Sequence, residues 1–409
     1  MSLQEKLRLR LPAYLIFSFL GFLGLVSLWL PRWANESVEN AQALTYSATS
    51  TIASLVPSDS RNRLLAVGDS FYLLFTSSTW SGGATSTCGP GGTCRLYFTS
   101  SSNGVNWSSP VVASAGALKT DDGENQSAPL GGFAYNSRQG YFATLYKGFS
   151  DNMIYLSTST DGAVWRGGMV VSSAGGGPTT PSSRAYIAFA TSSDLTAIAY
   201  RNGSQIAIAT TSNSLLSLST WTSSSFVGVT STDTGNNYEA EVVGVSVEGD
   251  NTLHVIYGTA TTSAAGITFV HAQSTNLGAT WTFNSIVSRP LGDANLVGSY
   301  TRGAATAVTT QGRLGLMYRH FTSADLSGYP SDVYASSTYV FAQQNSSGTW
   351  VTTTLGVQPS SLTLNDPNFF TQYPAISFFN GDKPVTGFFA TSSNLYSAIN
   401  TSSFVTELV

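Results

Sequence analysis

The sequence predicts an all-β protein, a six-bladed β-propeller preceded by one N-terminal helix. Three observations predict this fold. The composition is rich in turn and strand formers, with 39 glycines and 12% aromatic residues. A short motif ending in tryptophan recurs along the chain at a nearly constant interval. One long uncharged apolar segment lies close to the N-terminus.

The charge content excludes several classes of protein. Only 10% of the 409 residues are charged, against about 25% in ordinary soluble domains. Coiled coils, helical bundles and disordered acidic tails need more charge or more helix formers than this. The formal net charge is -4, and basic residues form no run beyond the first ten positions. We therefore expect no nucleic-acid partner.

The apolar segment runs from Leu11 to Leu30 and follows the basic residues Lys6, Arg8 and Arg10. A helix of about twenty residues spans the hydrocarbon core of a bilayer. Basic residues on its N-terminal side place the rest of the chain outside the cytoplasm. A buried core helix is a poor alternative, because little else in the sequence is helical.

Two fates of this segment remain open. Ala41 to Ala43 form an A-x-A pattern that a signal peptidase could cleave, which would release the protein. The distance from the apolar run favours an uncleaved anchor instead. We expect residues 1–33 to hold a cytoplasmic stub and a transmembrane or signal-anchor helix, 34–44 a linker, and 45–409 the propeller. The propeller is then membrane-anchored and extracytoplasmic, or secreted after cleavage near Ala43.

The recurring motif is Ser or Thr, Asp or Asn, Gly, two residues and Trp. It occurs at 102–107, at 160–165 and, with one insertion, at 275–281, and degenerate copies end at Trp221 and Trp350. In such a turn Asp or Asn accepts backbone hydrogen bonds, and Gly supplies a positive φ. We expect the Trp to pack the hairpin end against its own blade.

A strand, a turn and a second strand precede each of the five motif copies. The same pattern occurs a sixth time near the C-terminus, where no tryptophan follows it. Four strands over about sixty residues are typical of propeller blades, whose radial repetition limits exposed sheet edges. Residues 45–56 are expected to supply an outer strand that closes the ring with the last blade.

The turns resemble the Asp-box (BNR) repeat of the sialidase superfamily, whose motif is S/T-x-D-x-G-x-x-W. The best match, Ser159 to Trp165, is one residue tighter than that pattern. The resemblance covers about 45–409 and implies a six-bladed sialidase-like propeller. It specifies activity poorly, because these turns lie away from the catalytic face and many non-enzymes carry them.

Candidate site residues come from the position just before each innermost strand, which faces one mouth of the channel. Arginine at this mouth offers a planar fork for a carboxylate. The resemblance implies that an Arg, a Glu, a second Arg and a Tyr at these places bind and cleave a sialoside, with Tyr as nucleophile and Glu as its base. The residues at the channel-facing positions are Arg61 or Arg63, Arg184, Glu241, Arg302 and Tyr373. All of them except Arg184 fall at places that the family pattern names.

The sequence departs from the family pattern in three places. The family's Arg-Ile-Pro opening is absent from the segment Ser60 to Leu64. The family has the second arginine of its carboxylate-binding set at the end of the second strand of blade four, where this sequence has Tyr257 and Gly258. The loop of blade one that carries the family's acid/base Asp has no acid here. Asp121 and Asp122, in the loop leading to blade two, are the nearest substitutes, so we expect them to serve as acid/base.

The leading function is recognition of a glycan or glycoconjugate, with exo-glycosidase activity as its catalytic form. The alternative is a non-catalytic surface adhesin or protein-interaction propeller. Cys88 and Cys94 are expected to form a disulfide in an oxidising compartment, because two cysteines without a nearby His do not make a zinc site. We expect no metal and no cofactor, and we expect His254, His271 and His320 to be packing residues.

Overall fold

The computed structural model forms 24 β-strands in its described residues. These residues are 46–54, 62–77, 95–103, 106–114, 130–147, 154–170, 185–202, 205–216, 221–227, 241–259, 268–288, 304–308, 314–320, 338–345, 348–355, 375–379, 383–391 and 394–400. All strands lie in the unit Leu44–Val409, and the other unit is Met1–Ala43.

Five sheets are each built from four strands that are consecutive in the chain. Blade 1 contains β2 (Asn62–Val67), β3 (Ser70–Ser77), β4 (Arg95–Ser101) and β5 (Val111–Val112). Blade 2 contains β6 (Leu130–Asn136), β7 (Tyr141–Lys147), β8 (Ile154–Ser159) and β9 (Arg166–Val170). Blade 3 contains β10 (Ala185–Phe189), β11 (Thr196–Asn202), β12 (Gln205–Thr211) and β13 (Thr222–Val227).

The next two blades continue this order. Blade 4 contains β14 (Glu241–Glu248), β15 (Thr252–Thr259), β16 (Thr268–Ser274) and β17 (Thr282–Ser288). Blade 5 contains β18 (Ala304–Val308), β19 (Leu314–His320), β20 (Thr338–Gln344) and β21 (Trp350–Leu355). Neighbouring strands within each blade are antiparallel.

The remaining sheet is composite. It joins β1 (Tyr46–Ser54) to β22 (Ala375–Phe379), β23 (Lys383–Thr391) and β24 (Asn394–Asn400), in the order β1-β24-β23-β22. The outer strand expected from residues 45–56 is thus found in antiparallel register with β24, with Thr51 opposite Tyr396. The expectation of a six-bladed propeller is corrected. Five blades are each built from strands consecutive in the chain, whereas the remaining sheet takes its outer strand from the N-terminal part of the propeller. This pairing joins the first and last strands of the ring.

The first strand of each blade, together with β22, lines the centre. These strands contact one another in the cyclic order β2, β6, β10, β14, β18, β22, and β22 contacts β2. The chain is therefore an all-β propeller with a closed inner ring. Apolar clusters fill the spaces between neighbouring blades, as between blades 2 and 3 and between blades 4 and 5.

The turn after β8 forms the local network that the motif predicts. The Asp161 carboxylate accepts hydrogen bonds from the backbone N–H of Ala163 and Val164, both at 2.9 Å. The Ser159 hydroxyl accepts from the N–H of Gly162, and the Trp165 indole N–H donates to the Gly162 carbonyl. These backbone bonds hold the pKa of Asp161 below its ordinary value.

The turn after β16 repeats the network with Asn in place of Asp. Ser274 accepts from the N–H of Gly278 at 2.8 Å, Asn276 accepts from Thr280, and the Trp281 indole donates to the Gly278 carbonyl. The neutral amide oxygen serves the same geometry as the carboxylate, which explains why the repeat tolerates both residues.

Trp165 and Trp350 contact the preceding blade, which adds to the expectation that each tryptophan packs against its own blade. The Trp165 ring of blade 2 lies 5.3 Å from the Phe98 ring of blade 1 and 6.4 Å from Phe142 of its own blade. Trp350 of blade 5 meets His271 of blade 4 edge-on at 5.6 Å. A turn at the outer part of a blade therefore also fixes the position of the preceding blade.

Within the described residues, no helix is long and apolar enough to cross a membrane. The helix expected in residues 1–33, the linker expected at 34–44 and the cleavage pattern at Ala43 fall on residues outside those described.

Candidate functional site

The inner ring encloses a cavity of about 350 Å³. Its walls are mainly apolar, with Leu65, Phe133, Ala188, Val245 and Ala307 from five different blades. Ligand pockets of proteins start at about 300 Å³, so the cavity can hold a small molecule. The central channel is therefore the candidate site.

Arg63 is the one charged side chain among the described residues that line this cavity. It is 9% exposed. Its guanidinium Nη2 donates a hydrogen bond of 3.2 Å to the Tyr186 hydroxyl, and its Cζ lies 5.3 Å from the centre of the Tyr186 ring. The hydroxyl orients the guanidinium, and the ring faces its positive charge.

The Arg63–Tyr186 pair bridges blades that are not neighbours. Arg63 lies in β2 of blade 1 and Tyr186 in β10 of blade 3, with blade 2 between them. Contact between alternate blades requires the side chains to cross the channel near its axis. We call this pair the crossbar.

Exposure increases along the innermost strands. In β2 Leu64 is buried, whereas Gly68 just after the strand is exposed; in β18 Ala304 is buried and Val308 is 36% exposed. In blade 2 Gly132 is buried and Ser137, beyond β6, is exposed. The described residues are thus buried at the crossbar end, where the strands begin, and more exposed at the end where the strands finish.

Of the predicted site residues, the structure describes the side chain of Arg63 only, which lines the channel cavity. Glu241 is the first residue of β14, with its backbone paired to Gly258. The other predicted residues lie outside the described residues: Arg61, Asp121, Asp122, Arg184, Arg302, Tyr373, Cys88 and Cys94.

Sequence reasoning missed Tyr186 as a functional partner. It treated this residue only as part of an apolar strand. The available signal is positional, because Arg63 and Tyr186 are each the second residue of an innermost strand. Aligning the repeats by strand start would have placed the two side chains at one level of the channel.

A second polar arrangement lies between blades 4 and 5. His254 Nδ1 is 3.0 Å from His271 Nε2, His254 Nε2 is 3.1 Å from Glu248 Oε2, and His271 Nδ1 is 3.4 Å from Gln344 Nε2. One proton on each imidazole satisfies every bond, with donation running from Gln344 through both histidines to Glu248. We call these four residues the histidine chain.

Burial keeps both imidazoles neutral. It lowers the pKa of His271 to about 3, with the nearby His254 adding to the effect. It also lowers the pKa of His254, against the opposing influence of Glu248. The expectation that these histidines merely pack is corrected, since they form a hydrogen-bonded chain between blades. Within the described residues, no three His, Cys, Asp or Glu side chains are grouped to hold a metal ion.

In sequence, the chain matches no protein-family model and no curated protein. Solved structures do match it. The NanB sialidase of Streptococcus pneumoniae matches with a TM-score of 0.51 at 11% identity, over 89% of this chain and 71% of that chain. The endosialidase of phage phi92 matches with a TM-score of 0.52 at 10% identity, over 90% of this chain and 70% of that chain.

A fungal lectin shares the same architecture. The Aleuria aurantia lectin, solved with alpha-methyl-L-fucoside, matches with a TM-score of 0.50 at 13% identity, over 86% of this chain and 99% of that chain. At such identities the similarity shows the fold alone. The protein is similar in fold to sialidase and lectin β-propellers.

Proposed function

We propose that this protein recognises a glycan at the crossbar end of its channel. The observation that carries the proposal is Arg63, a nearly buried guanidinium held at the axis by Tyr186. The sequence repeat assigns Arg61, Arg184, Glu241, Arg302 and Tyr373 to the same end. The sialidase and fucoside-lectin propellers of the same fold support this class of ligand.

The chemistry of the proposed end favours an acidic sugar. A guanidinium presents two parallel N–H donors that match a carboxylate. The Tyr186 hydroxyl already accepts a hydrogen bond from the Arg63 guanidinium, which fixes the plane of that group before a ligand binds. Such preorganisation reduces the entropy that binding would otherwise cost.

The catalytic form of the proposal is a retaining exo-glycosidase. Tyr373 attacks the anomeric carbon after Glu241 removes its phenol proton, and Asp121 or Asp122 serves as acid/base. Glu241 opens β14, and Tyr373 precedes β22 by two residues. Both belong to the starts of innermost strands, which supports a shared location. The alternative is an adhesin that binds glycan or protein without turnover.

Binding is tested by retention on an immobilised sialoside, with a neutral fucoside as comparison. Arg63→Ala should weaken sialoside retention by about 10- to 100-fold, the loss of a charge-assisted hydrogen bond. Arg138→Ala is the matched control, because Arg138 lies in an exposed turn and pairs with Asp194. Equal retention by Arg63→Ala and the unmodified protein would contradict the proposal.

Turnover separates the catalytic form from the adhesin. A fluorogenic sialoside should be cleaved by the unmodified protein, and Tyr373→Phe should abolish cleavage while leaving binding intact. Binding without any cleavage would leave the adhesin as the function.

We also propose export of the propeller, through an anchor at residues 11–30 or by secretion after cleavage near Ala43. Protease added to intact cells should then digest residues 34–409, and protection of this part until lysis would contradict the orientation. A Cys88–Cys94 disulfide accompanies this proposal, and thiol labelling of both cysteines in the native protein would exclude it.

A further inference from the structure

The channel has a second end that the proposed glycan site does not use. The innermost strands finish at this end. The residues at or just beyond their last positions are exposed, namely Gly68, Ser137, Thr191 and Val308. The crossbar lies at the opposite end of the same cavity. A ligand that enters from the strand-finish end therefore meets the cavity walls before it reaches Arg63.

The walls behind this entrance are apolar and aromatic. Phe133, Tyr135 and Phe189 line the cavity and are each partly exposed. They are held from behind by packed rings, Tyr135 against Phe142 at 4.8 Å and Phe189 against Tyr141 at 5.5 Å. Rigid aromatic walls of this kind favour a flat ring over a flexible polar chain.

Two hydroxyls of the channel wall are engaged within the protein, whereas the Ser246 hydroxyl is buried without a hydrogen-bond partner. The Ser377 hydroxyl accepts from the Ala66 N–H at 2.8 Å, and the Thr306 hydroxyl donates to the Val243 carbonyl at 3.3 Å. A sugar with many hydroxyls would lose more hydrogen bonds to water here than it could regain. An apolar molecule has no such hydrogen bonds to lose.

The turns around this end disfavour an anion. The described turns carry the carboxylates of Asp69, Asp194 and Asp250, whereas the one cation, Arg138, is paired to Asp194 at 3.3 Å. A negatively charged molecule would approach against this field. The entrance and the walls together select a neutral ligand.

We propose that the channel binds a neutral aromatic molecule of one or two rings, which enters from the strand-finish end. This site lies at the other end of the cavity from Arg63, and the proposal does not depend on the glycan site. The cavity of about 350 Å³ is larger than engineered apolar cavities of about 150 Å³ that bind benzene. Its walls supply ring contacts, and the exposed hydroxyls of Ser137 and Thr191 leave the entrance hydrated.

Photolabelling of the full-length protein with benzophenone tests the site, with labelled peptides mapped by mass spectrometry. We expect labels on β2, β6 and β10, displaced by the unreactive analogue diphenylmethane. Ala307→Phe places a ring in the cavity and should lower channel labelling about tenfold, as for loss of one decade in affinity. Ala163→Phe is the matched control, since Ala163 is exposed in the turn after β8.

The smaller change Ala307→Val and the displacement by diphenylmethane keep the test decisive if Ala307→Phe does not fold. Labels that spread over exposed apolar residues such as Val164 and Phe283, and that diphenylmethane does not displace, would overturn the proposal. Sialoside retention is measured on the same samples. Channel labelling of an unmodified protein that retains no sialoside would contradict the glycan site only, and sialoside retention without displaceable channel labelling would contradict this site only.

Discussion

The interface between blades 1 and 2 and the interface between blades 4 and 5 hold neighbouring sheets together by different chemistry. In the first, Phe98 lies among the rings of Tyr72, Phe133, Phe142 and Trp165, at 5.3 to 6.2 Å between centroids. In the second, an apolar cluster is joined by the histidine chain. The five rings of the first interface include no imidazole, whereas the buried imidazoles of the second make stability depend on pH.

The difference shows that the repeat fixes the position of a contact and leaves its chemistry free. Trp165 and Trp350 both reach back to the preceding blade. One meets Phe98 and the other meets His271. Each partner lies in the third strand of its blade, β4 or β16, so the same geometry accepts an apolar or a polar side chain.

The largest expected effect is at the aromatic interface. Phe98→Ala should lower the free energy of unfolding by about 3–5 kcal/mol, because it removes a ring that is 4% exposed and leaves a cavity. Denaturant unfolding measures the change. Val164→Ala is the control, since Val164 is 67% exposed and should change stability by less than about 0.5 kcal/mol. A loss below about 1 kcal/mol for Phe98→Ala would contradict the importance of the ring cluster.

Alanine substitutions at two glycines distinguish the cost of backbone strain from the cost of steric crowding. Gly348 has a φ of 79° with open space around an added Cβ, so Gly348→Ala should cost about 1 kcal/mol from backbone strain alone. Gly162 has a φ of 74°, and an added Cβ would lie 2.5 Å from the packed Phe98 ring. Gly162→Ala should therefore cost about 1–3 kcal/mol more. Equal losses would mean that the turn does not press on blade 1.

The histidine chain predicts a pH dependence of its own. His271 has an ordinary pKa of 6.5 and a folded value of about 3, so the unfolded chain binds this proton more tightly. Its contribution to stability is complete above about pH 6.5 and is lost as the pH falls toward 3. Between pH 7.5 and pH 5 the loss from His271 is about 2 kcal/mol.

His271→Gln isolates this contribution, because the amide can keep hydrogen bonds but does not titrate. The free energy of unfolding, measured from pH 5 to 7.5, should fall less in this variant than in the unmodified protein. Parallel pH profiles for the two proteins would show that His271 does not titrate on unfolding.

The smallest effects are expected in the turns. Ser159→Ala and Ser274→Ala each remove a hydroxyl that accepts a backbone N–H, from Gly162 and Gly278. Each change should cost about 1 kcal/mol in thermal or denaturant unfolding. Ser102→Ala, at an exposed position of the equivalent turn after β4, is the control. Unequal losses in the two variants would show that Asp161 and Asn276 do not support the turn equally.

Local patterns predicted most of the fold. The spacing of the tryptophans located the third and fourth strands of each blade, and the turn chemistry predicted the bonds of Asp161 and Asn276. These features involve residues close in sequence, so a single sequence reveals them. The partners of Trp165 and Trp350 could not be predicted, because they belong to the preceding blade, roughly seventy to eighty residues earlier in the chain.

The candidate site divides in the same way. The sequence by itself predicted that Arg61 or Arg63 lies at a repeat position facing the channel, since the order and spacing of the strands set that position. Only the tertiary structure decided that Arg63 meets Tyr186 of blade 3, that His254 and His271 share a buried hydrogen bond, and that the described channel residues are more exposed where the strands finish. The physical reason is that closing the ring sets which blades face one another across the axis, and distances across a ring leave no pattern in the spacing along the chain.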